Sequence, residues 1–278
     1  MKKKILIGII ALIVIFYIIS ALRYESQPKV GLIRIEGTIT DYLDTVSIIS
    51  EATKDESIKA VVIDVDSPGG AVGASQEIYR TIEKSREKKP VIVSMGNVAA
   101  SGGYYISAPA NVIYANPGTI TGSIGVIIQH VDVSEILNKF GVKVNTIKSG
   151  ANKDILYPTK PLLPEQKALL EKTVMDVYDQ FLDAIVRYRP IKKDVLKSYA
   201  DGRVFSGNEA KALGLVDKIG NIQDAISEAK KLGKLEEDAP VIELKPKKPL
   251  LDELMNSKFG MEKVRSGIYY MMSFWYVS

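Results

Sequence analysis

The chain has 278 residues, 46% apolar and 25% charged, which is ordinary globular composition and enough length for one large α/β domain with an anchor and a tail, or for two small domains. Its net charge is +4, but Lys2, Lys3 and Lys4 carry most of that excess and the rest is nearly neutral, which excludes the clustered basic face of a nucleic-acid binder. The absence of cysteine and the single histidine, His130, exclude disulfides, thiolate metal sites and a thiol nucleophile, and leave any Ser-His-Asp triad only one histidine to use.

Ile5 to Leu22 is free of charge and as a helix would rise about 27 Å, close to the hydrocarbon thickness of a bilayer. Lys2-Lys3-Lys4 before it and a lone Arg23 after it predict a cytoplasmic N-terminus, with the remainder on the outer face. A cleaved signal peptide is the competing reading; the run is longer than an ordinary signal core of roughly 7–15 residues. The expected organisation is a cytoplasmic start and transmembrane anchor over 1–23, a linker over 24–29, a catalytic α/β domain over 30–244, and a basic linker with an amphipathic tail over 245–278.

Within the domain, apolar runs alternate with amphipathic helices. Strands are predicted at Val30–Glu36, Ala60–Asp66, Val91–Ser94, Asn111–Ala115, Ile124–Gln129 and Val241–Leu244, and Val142–Lys148 reads as extended. Helices are predicted at Tyr42–Thr53, Gly73–Glu87, Val133–Phe140 and Pro164–Tyr188, with two or three shorter ones between Ile191 and Leu232. Gly150–Leu163 reads as a loop. Such alternation implies parallel β units packed between helices.

Chemistry concentrates at three turns. Ser67-Pro68-Gly69-Gly70 follows a strand and precedes a helix; paired glycines there let the backbone turn tightly and point N–H groups at an oxyanion, although a plain βα turn has the same need. Asn97 to Tyr105 places Ser101 among alanines and glycines, where small neighbours permit a sharp turn and expose the hydroxyl. Gly102 can add its own N–H to the same oxyanion. Thr119 to Val126 is rich in hydroxyls and includes Ser123. A nucleophilic serine needs a base: His130, or a lysine brought down from its usual pKa of about 10.4, with Lys143, Lys148, Lys153 and Lys160 as candidates.

Asp66-Ser67-Pro68-Gly69-Gly70, Ala99 to Tyr105, Thr121 to Gly125, Gly150 to Asp154, Gly202 to Gly207 and Asn208 to Gly220 together resemble the signal peptide peptidase A family. These are Ser/Lys proteases of the Clp protease/crotonase fold group, and the match spans about residues 30–232. The resemblance implies Ser101 as nucleophile, Lys153 as base, Gly69 or Gly70 with Gly102 as the oxyanion hole, and Ser123 as the residue that orients the lysine. It implies no cofactor and no metal. It also implies a homo-oligomeric ring or dome at a membrane, in which serine and lysine can come from neighbouring protomers. The expected function is a membrane-anchored endopeptidase that hydrolyses remnant signal peptides and other unfolded hydrophobic segments. Within the peptidases, a membrane protease associated with stomatin-like partners is a near relative of this reading; outside them stand a catalytically silent membrane scaffold and a crotonase-type acyl-CoA enzyme. Asn152 and Leu156-Tyr157-Pro158 depart from the family's usual residues around the lysine.

Overall fold

A computed structural model describes residues 27–246. The expected membrane span and almost all of the expected tail lie outside the described residues. Among the described residues no helix is long and apolar enough to cross a membrane. The chain divides into two compact units: one ends at Gly125 and resumes over Gln180–Pro246, and the other is Val126–Asp179.

The first unit is built on an eight-stranded sheet. β1 (Lys29–Glu36), β2 (Ile58–Ser67) and β3 (Val91–Ala100) form its centre, joined through α1 (Leu43–Lys54) and α2 (Val72–Arg86). The central strands pair in parallel, with Ile33 opposite Ile63 and Ile63 opposite Val93. Val61, Val62, Ile63, Val91, Ile92 and Val93 are all fully buried. A parallel sheet covered on both faces buries consecutive residues, and so its strands read as unbroken β-branched runs.

After β3 come α3 (Gly102–Ser107), β4 (Val112–Ala115) and β5 (Ile120–Gly122). Beyond residue 180 the unit adds α6 (Lys193–Lys197), β6 (Val204–Ser206), α7 (Gly207–Ala212), β7 (Lys218–Ile219), α8 (Ile222–Leu232) and β8 (Val241–Glu243). The strand order is β6-β5-β3-β2-β1-β8, with β4 pairing both β3 and β7. The sheet is mixed, not wholly parallel as expected, because β6 runs antiparallel to β5. One face packs Val30, Leu32, Ala60, Val62 and Ile92 against Ala225 and Ala229 of α8. The start of α8 is held by a reciprocal cap in which Asn221 and Asp224 satisfy each other's backbone N–H groups.

The second unit carries α4 (Ser134–Lys139) and the beginning of α5 (Pro164–Val186), a helix that continues past Asp179. Pro164 stands at the first helical position, where its missing N–H is harmless. The strand predicted at Ile124–Gln129 does not form, and the extended segment Val142–Lys148 joins no sheet among the described residues. Ile127 and Ile147 are exposed, and neither segment has a ladder partner among the described residues. β-branched content favours a strand only where a neighbouring pleated surface receives it.

Candidate active site

The site begins at a disruption of the β2–β3 ladder. Val65 pairs with Met95 and Ser67 with Ala99, so β3 takes four residues where β2 takes two. Asp66 holds this bulge: its carboxylate accepts from Asn97 Nδ2 at 2.7 Å and from the Val98 N–H at 3.0 Å. Gly96 lies against the same carboxylate, where a Cβ would stand 3.2 Å from Asp66 Cβ. Bulges of this kind re-aim the strand that carries them. Here β3 is delivered to its last residue, Ala100, and to Ser101.

Ser101 stands between β3 and α3 with φ 51° and ψ −118°. A serine at positive φ costs on the order of 1–3 kcal/mol and persists only where the surroundings over-determine it. They do so on both sides. Its N–H donates to the Gly122 carbonyl at 2.8 Å, and its carbonyl accepts from the Tyr105 N–H at 2.8 Å. The partner strand β5 is itself pinned to β3, with Thr121 Oγ1 donating to the buried Ala99 carbonyl at 2.6 Å. Among the described residues three non-glycine positions have positive φ. Two of them are Ser101 and Ser123, which confines the backbone strain largely to this turn pair.

The glycines of the β2–α2 turn meet Ser101 directly. A Cβ on Gly69, whose φ is +97°, would lie 2.5 Å from the Gly102 nitrogen and 2.9 Å from Ser101 Cβ. A Cβ on Gly102 would lie 3.1 Å from both Gly69 Cα and the Gly70 nitrogen. Gly103 is as constrained, because its Cβ would meet the Ser67 carbonyl at 2.6 Å. No side chain larger than hydrogen fits between these two turns, and so two backbone segments come into contact beside the hydroxyl.

The three glycine N–H groups are not equivalent. Gly69 N–H donates to the buried Ser67 Oγ at 3.1 Å. The bridge between Ile39 and Gly70 uses the Gly69 carbonyl and the Ala71 N–H, which leaves the Gly70 N–H out of it. Gly102 occupies the first position of α3, where a helical N–H has no intrahelical acceptor. Gly70 and Gly102 therefore form the available donor pair.

Ser123 follows Gly122, the acceptor of the Ser101 N–H. It has φ 48°, its N–H donates to the Arg203 carbonyl at 2.8 Å, and it is half-exposed. Ser101, Gly69, Gly70, Gly102 and Ser123 thus gather in the first unit. Lys153 belongs to the second. There it sits on a turn-rich loop in which its N–H donates to the Gly150 carbonyl. The next residue, Asp154, is buried and accepts from Lys148 Nζ at 2.6 Å and from Lys160 Nζ at 2.7 Å. Those two lysine donors hold the Asp154 carboxyl down at about 2. Lys148 and Lys160, candidates for the base in the sequence, are thereby engaged as loop clamps. Lys143 is exposed. His130 Nε2 lies 3.1 Å from the Tyr157 carbonyl, so it donates to that carbonyl and secures the far end of the same loop.

Sequence spacing assigns no individual role to Asp66, Ser67 or Thr121. Asp66 and Thr121 open two of the matching motifs, but their work as acceptor and strand pin depends on neighbours distant in the chain. Among the described residues no group of three or more His, Asp or Glu side chains is placed to hold a metal.

A strained serine beside two available backbone amides, at the carboxyl end of a largely parallel sheet, is the geometry of a serine hydrolase. Residues 83–236 match Peptidase family S49, and residues 29–117 match the Clp protease family. A Synechocystis protein named as a protease is 38% identical over 234 residues, covering 83% of this chain and 84% of that one. Protease 4 of Salmonella typhi is 40% identical, covering 78% of this chain and 35% of that one. The chloroplastic serine protease SPPA of Arabidopsis thaliana is 34% identical, covering 87% and 39%. The fold is that of the membrane-bound stomatin-specific protease 1510-N, solved as a serine-to-alanine mutant. The TM-score is 0.54 at 17% identity, over 79% of this chain and 99% of that one. The chain belongs to peptidase family S49, and it is a serine protease.

Proposed function

We propose that this serine protease is a Ser/Lys endopeptidase held at the membrane by Ile5 to Leu22, with its catalytic domain on the outer face, and that it hydrolyses remnant signal peptides and other unfolded hydrophobic segments. The observation that carries this reading is the convergence of Ser101 with the Gly70 and Gly102 N–H groups. In the proposed mechanism neutral Lys153 takes the Ser101 proton as the hydroxyl attacks the peptide carbonyl. The two amides receive the oxyanion, and the protonated lysine returns its proton to the leaving amine. A lysine-activated water then releases the acyl group. Ser123 orients the lysine.

The chemistry also favours assembly of several copies. Ile127, Phe140 and Ile147 of the second unit are 86%, 81% and 103% exposed, a concentration of uncovered apolar side chains that a neighbouring protomer would bury.

The test is cleavage of an apolar fluorogenic peptide by wild type, Ser101→Ala and Lys153→Ala. Both variants are expected to lose activity, by about 10³-fold or more, while keeping the wild-type oligomer size. Near-wild-type turnover by Lys153→Ala would transfer the base role to another residue. Mixing the two inactive variants asks whether one chain's serine works with another's lysine; recovered activity requires complementary residues on different protomers.

A further inference from the structure

Ser75, on the first turns of α2, is 3% exposed, and its Oγ has no hydrogen-bond partner among the described residues. Nine in ten or more buried polar groups are paired, so an orphaned hydroxyl in a well-packed region requires a reason. Packing does not supply one. Ser75 shares the buried face of α2 with Ala74, Ile78, Tyr79 and Ile82, and alanine would serve burial there without stranding a polar atom. The usual local remedy, a bond back to the carbonyl four residues earlier, is not made. The Ala71 carbonyl takes the Ser75 N–H at 3.0 Å, and Oγ is not bonded to it.

The location of the orphan is informative. Ser75 Oγ lies 2.6 Å from the point a Cβ on Gly102 would occupy, and the Gly70 nitrogen lies 3.1 Å from that same point. The unpaired hydroxyl therefore lies in the buried contact between α2 and the two glycine turns, against the face of Gly102 opened by the missing side chain.

We propose that Ser75 is a positioning residue of the oxyanion site, unpaired in the resting chain and donating its O–H to a backbone carbonyl of the Gly70–Gly102 turns once a peptide carbonyl occupies their N–H groups. A bond made only in the reacting state adds to differential stabilisation of that state, whereas a bond already made at rest does not. The hydroxyl acts through the Gly102 peptide, by confining it as charge develops on the carbonyl oxygen. The proposal rests on the Ser101 and oxyanion assignment above.

The test uses the full chain in detergent and the same apolar fluorogenic peptide, with kcat, KM and Tm measured for wild type, Ser75→Ala, Ser75→Cys and Ser101→Ala. Loss of a hydrogen bond to a charge-bearing site corresponds to about 10- to 100-fold in rate. Ser75→Ala is expected to lose that much kcat, with KM within about twofold of wild type and Tm unchanged or higher, since the variant also removes an unsatisfied buried group. Ser75→Cys keeps the size but lacks a strong donor, and it is expected to lose kcat to a similar extent. Wild-type kcat in Ser75→Ala overturns the proposal. A rate loss accompanied by a fall in Tm in Ser75→Ala but absent from Ser75→Cys also overturns it, because packing alone then accounts for the residue. Activity in Ser101→Ala would remove the nucleophile assignment, and this proposal with it; an inactive Ser101→Ala beside an unimpaired Ser75→Ala would remove only the role of Ser75.

Discussion

At Gly102 the absence of a side chain is a structural requirement. Replacing it by alanine puts a methyl 2.6 Å from Ser75 Oγ and 3.1 Å from the Gly70 nitrogen. The hydroxyl can rotate away but the backbone of the neighbouring turn cannot, so the two turns must separate. Gly102→Ala is expected to cost about 1–3 kcal/mol of stability in urea unfolding and to lower kcat far more than that loss of folded protein explains. Asp66 is a second sensitive residue. Asp66→Ala removes the acceptor of both Asn97 Nδ2 and the Val98 N–H, leaving a half-buried strand end without its fastening. A destabilisation of about 1–3 kcal/mol is expected, with slower labelling of Ser101 by a fluorophosphonate because the bulge that delivers it is loosened. Ser101 and the glycines were legible as candidates through the set of matching motifs, since a small-residue turn taken alone serves a plain βα connection equally well. Choosing Gly70 over Gly69 was not, since it depends on a hydrogen bond from the Gly69 N–H to Ser67 Oγ that no spacing reveals.

Among the elements, the loop carrying Lys153 is tied by charge. Asp154 accepts from Lys148 and Lys160, and its carboxyl is held at about 2, below the usual carboxylate value. A carboxyl whose folded pKa is depressed contributes stability that is present above its unfolded value, about 3.9, and is lost as pH falls toward 2. The protection factors of the amides over residues 150–157, taken relative to the intrinsic exchange rate at each pH, are therefore expected to fall below about pH 4 in wild type. Asp154→Asn is expected to show lower protection already at pH 6 and to lack that acid step. The elements also show how far periodicity reaches. The helix expected at Pro164–Tyr188 appears at Pro164–Val186, and that expected at Gly73–Glu87 appears at Val72–Arg86, because amphipathic helices display their own period. Short strands do not: Val204–Ser206 and Lys218–Ile219 are too brief to show alternation, and each exists through a pairing distant in sequence.

For the whole molecule, the uneven distribution of exposed apolar side chains leads to a prediction about assembly. Phe140 is 81% exposed in the second unit. Phe140→Asp is expected to lower the sedimentation coefficient toward that of a smaller species, with peptidase activity falling in parallel and the far-ultraviolet circular dichroism unchanged. Full retention of both size and activity would show that this residue is not covered in the working protein.

The α/β class, the family, the exclusion of thiol chemistry and the turns that hold the candidate serine and glycines could be read from the amino-acid sequence. These are local properties: a β-branched run, a small-residue turn or a missing residue type is visible without knowing its neighbours. The mixed direction of the sheet, the bulge fastened by Asp66, the choice of Gly70 over Gly69 as donor, and the unpaired hydroxyl of Ser75 beside the glycine turns emerge only from the folded chain. Each of these depends on two backbone segments, separated by tens of residues, approaching within a few ångströms. A hydrogen bond or a steric gap between such segments is a property of their meeting, and neither segment carries it alone.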